Sequence, residues 1–303
     1  MAATSRAGGE AKPSGRIDAA EVGDVDSVID RALAEDLAAG DVTARATVGV
    51  HVQASAEIRA KQTLVLGGLE VAARVFARVD PSVRVALEAS DGDRVDAGTV
   101  VLRATGAARS LLAAERTALN LLQRMCGVAT QTAAYVAAAG PGLRVVDTRK
   151  TMPGLRALDR YAVRCGGAHN HRNDLGAAVL IKENHIRCAG GVAEAVEAAR
   201  RHAPHTMKIE CEVTNLDELR AAIEAGADIV MLDNFDDATL AEAVRVAAGR
   251  VLLEVSGGVT LERLPRIAAS GVDVVSVGAL THSVPAADLS MLVVVGTAVE
   301  ASR

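Results

Sequence analysis

The second half of the sequence alternates regularly between short β-branched runs and amphipathic segments of roughly 10–15 residues. This alternation is typical of βα units whose strands form a parallel sheet. It predicts six strands, at residues 143–147, 179–182, 207–213, 228–233, 251–256 and 272–278.

Each of these apolar runs ends in polar or small residues, namely Asp147-Thr-Arg-Lys150, Lys182, Glu212, Asp233, Ser256-Gly-Gly258 and Ser276-Val-Gly278. In a (β/α) barrel the carboxyl ends of successive strands meet at one rim, where the chemistry takes place. An open doubly wound sheet would instead gather its ligand at a switch point, and no GxGxxG motif supports that fold. We therefore expect an α/β protein with an incomplete TIM-like (β/α) barrel, because only six strands are predicted.

Composition excludes several classes of protein. The 303 residues carry 33 Lys and Arg against 38 Asp and Glu, for a net charge of −5, and only four residues are aromatic. A nucleic-acid partner is not expected, since it requires a basic face and stacking rings. No apolar run of about 18 residues exists, so we expect no membrane span. The four cysteines are far apart, which favours a cytoplasmic setting over a disulfide framework.

The net charge conceals a local surplus of cations. Between Arg144 and Arg187 there are nine Lys and Arg against four Asp and Glu. The Arg residues at 156, 160 and 164 follow helical spacing and partly form a solvated helix face. That explanation does not cover Arg149 and Lys150 after a strand, or Lys182 at the end of an apolar run. Because arginine forks bind carboxylate or phosphate bidentately, the sequence predicts an anion-binding pocket.

Two acids and two small-residue loops complete the predicted rim. Glu212 and Asp233 end neighbouring strands, where they could hold Mg²⁺, stabilise a developing positive charge, or serve only as caps and ion-pair partners. The loops at 256–260 and 277–283 suit a phosphate, although Ser-Gly-Gly alone can be a simple turn. Lys182 has an alternative interpretation as a Schiff-base lysine of a barrel lyase.

The first part of the chain has a mixed pattern. Residues 1–18 are rich in charge, Gly and Pro, and we expect a flexible tail. Helices are predicted at 25–37, 68–79, 107–125 and 130–139, and strands at 53–60 and 83–87.

Several ordered motifs resemble those of the quinolinate phosphoribosyltransferase family, the carboxylating nicotinate-nucleotide pyrophosphorylases. They are Glu115-Arg-Thr-Ala-Leu-Asn-Leu-Leu122, Asp147-Thr-Arg-Lys-Thr-Met-Pro-Gly-Leu-Arg156, Asn170-His-Arg172, Leu180-Ile-Lys-Glu-Asn-His185, Ile209-Glu-Cys-Glu-Val213, Leu232-Asp-Asn-Phe235 and Glu254-Val-Ser-Gly-Gly258. The similarity extends over nearly the whole chain from about Val25.

The resemblance implies an N-terminal α/β open sandwich domain at 19–127, joined by the C-terminal segment 284–303, and a catalytic barrel at 128–283. It implies transfer of a phosphoribosyl group from 5-phosphoribosyl-1-pyrophosphate to quinolinate, with loss of CO₂ and with Mg²⁺ as cofactor. The product is nicotinate mononucleotide, on the de novo route to NAD. It also implies a homodimer, which in some members assembles into hexamers, and in which one subunit's N-terminal domain covers the barrel mouth of the other.

The resemblance also assigns roles to individual residues. The implied quinolinate ligands are Arg149, His171, Arg172 and Lys182, with Arg116 donated across the dimer interface. The implied catalytic residues are Lys150 at the sugar, together with Glu212 and Asp233, which bind Mg²⁺ or the ribose hydroxyls. The implied 5-phosphate site comprises Ser256, Gly257, Gly258, Val277 and Gly278.

Three other functions stay open at this point. A related transferase acting on nicotinate or another base is the alternative within the class, although a mono-acid requires fewer cations than a diacid. A Schiff-base lyase using Lys182 and a non-catalytic anion-binding protein are the alternatives outside it.

Overall fold

The computed structural model describes residues 25–295, so the flexible tail expected at 1–18 lies outside the described residues. The chain divides into two compact units. Within the described residues, the first comprises 25–130, 157–167 and 285–295, and the second comprises 131–156 and 168–284. None of the helices within 25–295 is long and apolar enough to cross a membrane.

The helices are α1 Val25–Asp36, α2 Val42–Thr47, α3 Leu69–Val79, α4 Ala108–Ala139, α5 Arg156–Cys165, α6 Glu183–Ala189, α7 Val192–His202, α8 Leu216–Glu224, α9 Asp237–Ala247, α10 Leu264–Ser270 and α11 Ala279–His282. The strands are β1 Gln53–Ala60, β2 Leu64–Val65, β3 Arg84–Leu87, β4 Arg94–Val95, β5 Val100–Ala107, β6 Arg144–Val146, β7 Val179–Ile181, β8 Ile209–Val213, β9 Ile229–Asp233, β10 Leu252–Ser256, β11 Val274–Ser276 and β12 Leu289–Val295.

The first unit contains an antiparallel sheet in the order β12-β1-β5-β3. β1 alternates between buried and more exposed residues along its length, as expected of a strand with one face on a core. β12 pairs with β1, with Met291 opposite Ile58, so residues 289–295 add an outer strand to this sheet.

The expected barrel segment 128–283 includes residues 157–167, which form most of helix α5. In the structure these residues group with the first unit. Two buried polar contacts within that unit explain the difference. The Tyr161 hydroxyl donates to Asp91 at 2.9 Å, and Arg124 binds Asp159 through two hydrogen bonds of 2.9 and 3.0 Å. Asp91 also accepts the backbone N–H of Leu69, the first residue of α3, and so caps that helix.

Helix α4 runs unbroken from Ala108 to Ala139, so the prediction of two helices at 107–125 and 130–139 was wrong. The expected break lay near Gly127, and glycine costs a helix interior about 1 kcal/mol relative to alanine. Burial outweighs this cost, because Met125, Cys126, Val128 and Ala129 are all fully buried.

The second unit is built on six parallel strands in the order β6-β11-β10-β9-β8-β7. The prediction of six strands and of an incomplete barrel is confirmed. Because β11 pairs with β6, the last strand of the sheet lies beside the first. β6 and β7 are the outer strands, and His169 forms a further parallel bridge to Val146 of β6. The carboxyl ends of all six strands therefore lie at the same end of the sheet.

Candidate active site

Strand register places the predicted polar side chains next to one another. Ile181 lies opposite Cys211, so Lys182 and Glu212 are neighbours one residue further along β7 and β8. Ser256 of β10 lies opposite Asp233 of β9. Since residues two apart on a strand share a face, Glu210 lies below Glu212, and Glu254 lies below Ser256.

A pocket of about 320 Å³ opens at these strand ends. Its walls are strongly cationic, and its lining residues are Thr148, Arg149, Lys150, His171, Arg172, Leu180, Lys182, Met231, Ser256 and Ser276. Six of the predicted site residues are thus brought together in one cavity. Leu180 and Met231 supply an apolar surface on which a flat ring can rest.

The cations of this pocket repel one another. Burial lowers the pKa of Arg172, and the positive charge of Arg149 lowers it further. The Nε of Arg172 is buried without a hydrogen-bond partner among residues 25–295, and one terminal nitrogen donates to the Ala178 carbonyl at 2.9 Å. Two guanidinium groups held together at such a cost indicate a site for a ligand with more than one negative charge.

The loop that carries Arg149 and Lys150 is braced from two sides. Arg156 donates to the Thr151 hydroxyl and to the Asn173 carbonyl, each at 3.1 Å. The buried Thr281 hydroxyl donates to the Lys150 carbonyl at 2.8 Å. Arg156 therefore supports the loop, which helical spacing alone could not reveal.

His171 is fixed by acids that the sequence analysis did not select. The fully buried Asp147 accepts the backbone N–H of His171 at 2.7 Å. The Nε2 of the ring lies 3.4 Å from a carboxylate oxygen of Glu210 and 3.4 Å from one of Glu254. Both glutamates are only 4% exposed, and each has an oxygen without a hydrogen-bond partner in the described part of the chain.

These two carboxylates decide the charge of His171. Burial by itself would lower its pKa, but the hydrogen bonds and charges of Glu210 and Glu254 outweigh burial and raise the pKa to about 10. The Arg172 backbone N–H, however, donates to Nδ1 at 2.7 Å, which only an unprotonated Nδ1 can accept. The two buried carboxylates outweigh this contact, because protonation of Nδ1 forfeits a single hydrogen bond worth about 1 kcal/mol.

We therefore expect His171 to remain protonated well above neutral pH. Its pKa is raised above the unfolded value of about 6.5, so this contact stabilises the fold fully below that pH and is lost as pH rises toward about 10. Nitrogen-15 NMR of histidine-labelled protein should show one imidazolium at pH 8. Glu254→Gln should return its titration midpoint toward the ordinary range, and an unchanged midpoint would contradict this account.

Glu212 and Asp233 lie close to Lys182. The Lys182 ammonium contacts the Glu212 carboxylate directly. Burial raises the pKa of Asp233, as does the negative charge of Glu212, whereas Lys182 and Lys150 act to lower it. Two close carboxylates of this kind suit a divalent cation bound through oxygen. Among residues 25–295, the three potential metal ligands that lie within 4.8 Å of one another are instead His171, Glu210 and Glu254. The imidazolium of His171 offsets part of the charge of the two carboxylates.

Two glycine turns belong to the predicted phosphate site, and the first of them lies next to Asp233. Gly257 has φ +82°, and a Cβ there would lie 2.3 Å from the Asn234 amide oxygen. A Cβ at Gly278 would lie 3.0 Å from the His282 ring and 3.1 Å from the Lys150 side chain. Gly258 also has a positive φ, and Val277 is buried and donates its N–H to Val146. His282 thus belongs to this group, although the sequence analysis passed over it within its loop.

Arg116 is the one predicted site residue that lies in the first unit. It is exposed on α4, two turns before Arg124. The remaining predicted residues all belong to the second unit.

Known proteins similar to this chain carry the same combination of units. A probable carboxylating nicotinate-nucleotide pyrophosphorylase of Synechocystis is 43% identical over 89% of this chain and 92% of its own length. The crystal structure of NadC from Streptococcus pyogenes is 40% identical, with a TM-score of 0.88 over 93% of this chain and 99% of that one. The pyrophosphorylase from Francisella tularensis is 42% identical, with a TM-score of 0.86 and coverages of 92% and 98%. A human nicotinic acid phosphoribosyltransferase, 16% identical with a TM-score of 0.59, shares the fold alone.

The incomplete barrel with its cationic pocket and paired acids at the strand ends defines an enzyme of the phosphoribosyltransferase class. Residues 41–126 match the family described as the N-terminal domain of quinolinate phosphoribosyl transferase, and residues 128–292 match its C-terminal domain. The chain belongs to the quinolinate phosphoribosyltransferase family.

Proposed function

We propose that this chain transfers the phosphoribosyl group of 5-phosphoribosyl-1-pyrophosphate to quinolinate. The products are nicotinate mononucleotide, pyrophosphate and CO₂, in the de novo synthesis of NAD. The observation that carries the proposal is the pocket in which Arg149 and Arg172 repel one another beside His171 and Lys182. Quinolinate bears two adjacent carboxylates on one small ring, so it can neutralise several cations at once.

The pocket divides naturally between the two substrates. Arg149, Arg172, His171 and Lys182 bind the carboxylates of quinolinate, and Leu180 and Met231 contact its ring. The glycine turns at 256–258 and 277–278, where a phosphate can approach the backbone closely, bind the 5-phosphate. Lys150, which lies beside Gly278, reaches the sugar that carries the pyrophosphate.

Glu212 and Asp233 are the residues that would hold Mg²⁺, with oxygens of the phosphoribosyl substrate completing its shell. When bound, the ion neutralises charge on the departing pyrophosphate. The raised pKa of Asp233, which burial and then the negative charge of Glu212 cause, supports this assignment.

In the reaction, the carboxylates of Glu212 and Asp233 stabilise the positive charge that develops on the sugar. The bond between C1 of the ribose and the pyrophosphate oxygen breaks, and positive charge develops on the sugar near Glu212 and Asp233. The quinolinate nitrogen forms the new bond to C1. The 2-carboxylate then leaves as CO₂, and the electron pair that it releases stays on C2, where the adjacent cationic ring nitrogen stabilises it until C2 takes up a proton from solvent.

The proposal includes assembly and location. The enzyme acts as a homodimer or as a hexamer built from such dimers, in which Arg116 from one subunit reaches the quinolinate site of the other. The exposure of Arg116 on α4 supports this arrangement. All four cysteines are free, which suits a cytoplasmic enzyme.

An absorbance assay with Mg²⁺, phosphoribosyl pyrophosphate and either quinolinate or nicotinate tests the function. We expect turnover of quinolinate with equimolar release of CO₂, and no turnover of nicotinate. Turnover of nicotinate alone would overturn the proposal in favour of the related transferase. Borohydride trapping of Lys182 with a carbonyl compound would favour a lyase, but the contact of its ammonium with Glu212 suits charge pairing instead.

A further inference from the structure

Asn234 has an unusual backbone conformation at the end of β9. Its φ of +58° lies in the left-handed region, and Ala248 is the other non-glycine residue with positive φ between residues 25 and 295. Asparagine adopts this region at lower cost than most residues, but the conformation still disfavours a regular strand. The chain therefore turns sharply immediately after Asp233.

Two hydrogen bonds show what this turn achieves. The Asn234 side-chain amide donates to the carboxylate of Asp233 at 2.9 Å. The Asn234 backbone N–H donates to the Ser256 carbonyl at 3.0 Å. One residue thus connects the acid at the end of β9 with the strand end that leads into the glycine turn.

The glycine turn lies directly against this pair. A Cβ on Gly257 would lie 2.3 Å from the Asn234 side-chain oxygen and 3.0 Å from a carboxylate oxygen of Asp233. Any side chain at position 257 would clash with these two residues. Asn234, Asp233 and Gly257 therefore form one packed group. The orientation of the carboxylate and the path of the turn are consequently fixed together.

We propose that Asn234 is a positioning residue that holds the Asp233 carboxylate in register with the Ser256–Gly258 turn for binding of the phosphoribosyl substrate. This inference rests on the proposed function. Without the amide donor, Asp233 is free to rotate away from the nearby charge of Glu212, because like charges repel. The sugar and its 5-phosphate would then meet an acid and a turn that are no longer aligned.

The variant Asn234→Gly tests the inference, because glycine keeps the positive φ and removes only the amide. We expect the KM for phosphoribosyl pyrophosphate, and its Kd by calorimetry with Mg²⁺, to rise about tenfold through loss of one hydrogen bond to a charged group. The KM for quinolinate should stay within twofold. Asn215→Gly, which removes the cap of α8, is the matched control and should change the melting temperature but neither KM.

Asn234→Asp is the second variant, and it keeps the size of the side chain if the glycine variant folds poorly. It replaces the donor with another carboxylate and should weaken binding of phosphoribosyl pyrophosphate at least as much. An unchanged value in a folded variant, or an equal rise in both KM values, would overturn the inference. Failure of the wild-type enzyme to consume quinolinate would instead overturn the proposed function, so the two failures are distinguishable.

Discussion

Replacing Arg149 with alanine is expected to raise the KM for quinolinate about 100-fold, since two charge-assisted hydrogen bonds together contribute about 3 kcal/mol. Arg149 lines the pocket and faces Arg172, whose pKa its charge lowers. The KM for phosphoribosyl pyrophosphate should remain within twofold, because the sites proposed for its 5-phosphate and its pyrophosphate do not include Arg149. Steady-state kinetics with each substrate varied in turn measures this difference.

Two control variants separate the bidentate geometry of the Arg149 guanidinium from its positive charge. Arg149→Lys keeps the charge but loses the bidentate geometry, so it should give an intermediate KM. Arg187→Ala removes an exposed arginine of α6 that pairs with Glu183, and its kinetics should match the wild type. If Arg149→Ala binds quinolinate within threefold of the wild type, then the pocket is not the quinolinate site.

The same variant can show whether Arg116 acts across an interface. A mixture of Arg116→Ala and Arg149→Ala subunits contains mixed dimers in which one of the two sites has both arginines. Random exchange should restore about a quarter of wild-type activity, since half of the dimers are mixed and half of their sites are intact. No recovery after demonstrated exchange would place Arg116 in its own subunit's site or outside both.

The strands of the second unit could be predicted from sequence because each leaves two independent marks. A β-branched run gives its extent, and a polar residue such as Lys182 or Asp233 marks its end. Observed strands such as Ile229–Asp233 differ from the predictions by one or two residues. Helix α4 was less predictable, because local signals at Gly127 suggest a break and only tertiary burial shows that the helix continues.

The site residues at the strand ends could be predicted from the sequence equally well. The buried residues that hold them in place could not. Arg149, Lys182 and Glu212 stand at strand ends, whereas Glu210 and Glu254 stand inside apolar runs, where a glutamate gives no sign of its partner. Their contact with His171 joins residues from three parts of the chain. A partial signal existed in the spacing of two between Glu210 and Glu212, which places both on one face of the strand.

Replacing Glu212 with glutamine is expected to lower kcat by about 10²–10³-fold, because the side chain keeps its size but no longer offers a charge to the developing cation. The KM for quinolinate should be unchanged or lower, since Lys182 loses its carboxylate partner and is free to pair with the substrate. This division between kcat and KM distinguishes a group that acts in the transition state from one that only binds.

Glu218→Gln is the matched control for this experiment. Glu218 lies six residues further on and accepts the Thr214 backbone N–H at 2.7 Å, a bond that a glutamine oxygen can also accept. Its kcat should therefore equal that of the wild type. Single-turnover measurements with saturating Mg²⁺ would show whether the loss in Glu212→Gln lies in the chemical step. A kcat within threefold of the wild type would mean that Glu212 serves only to pair with Lys182, and that stabilisation of the sugar cation falls to Asp233.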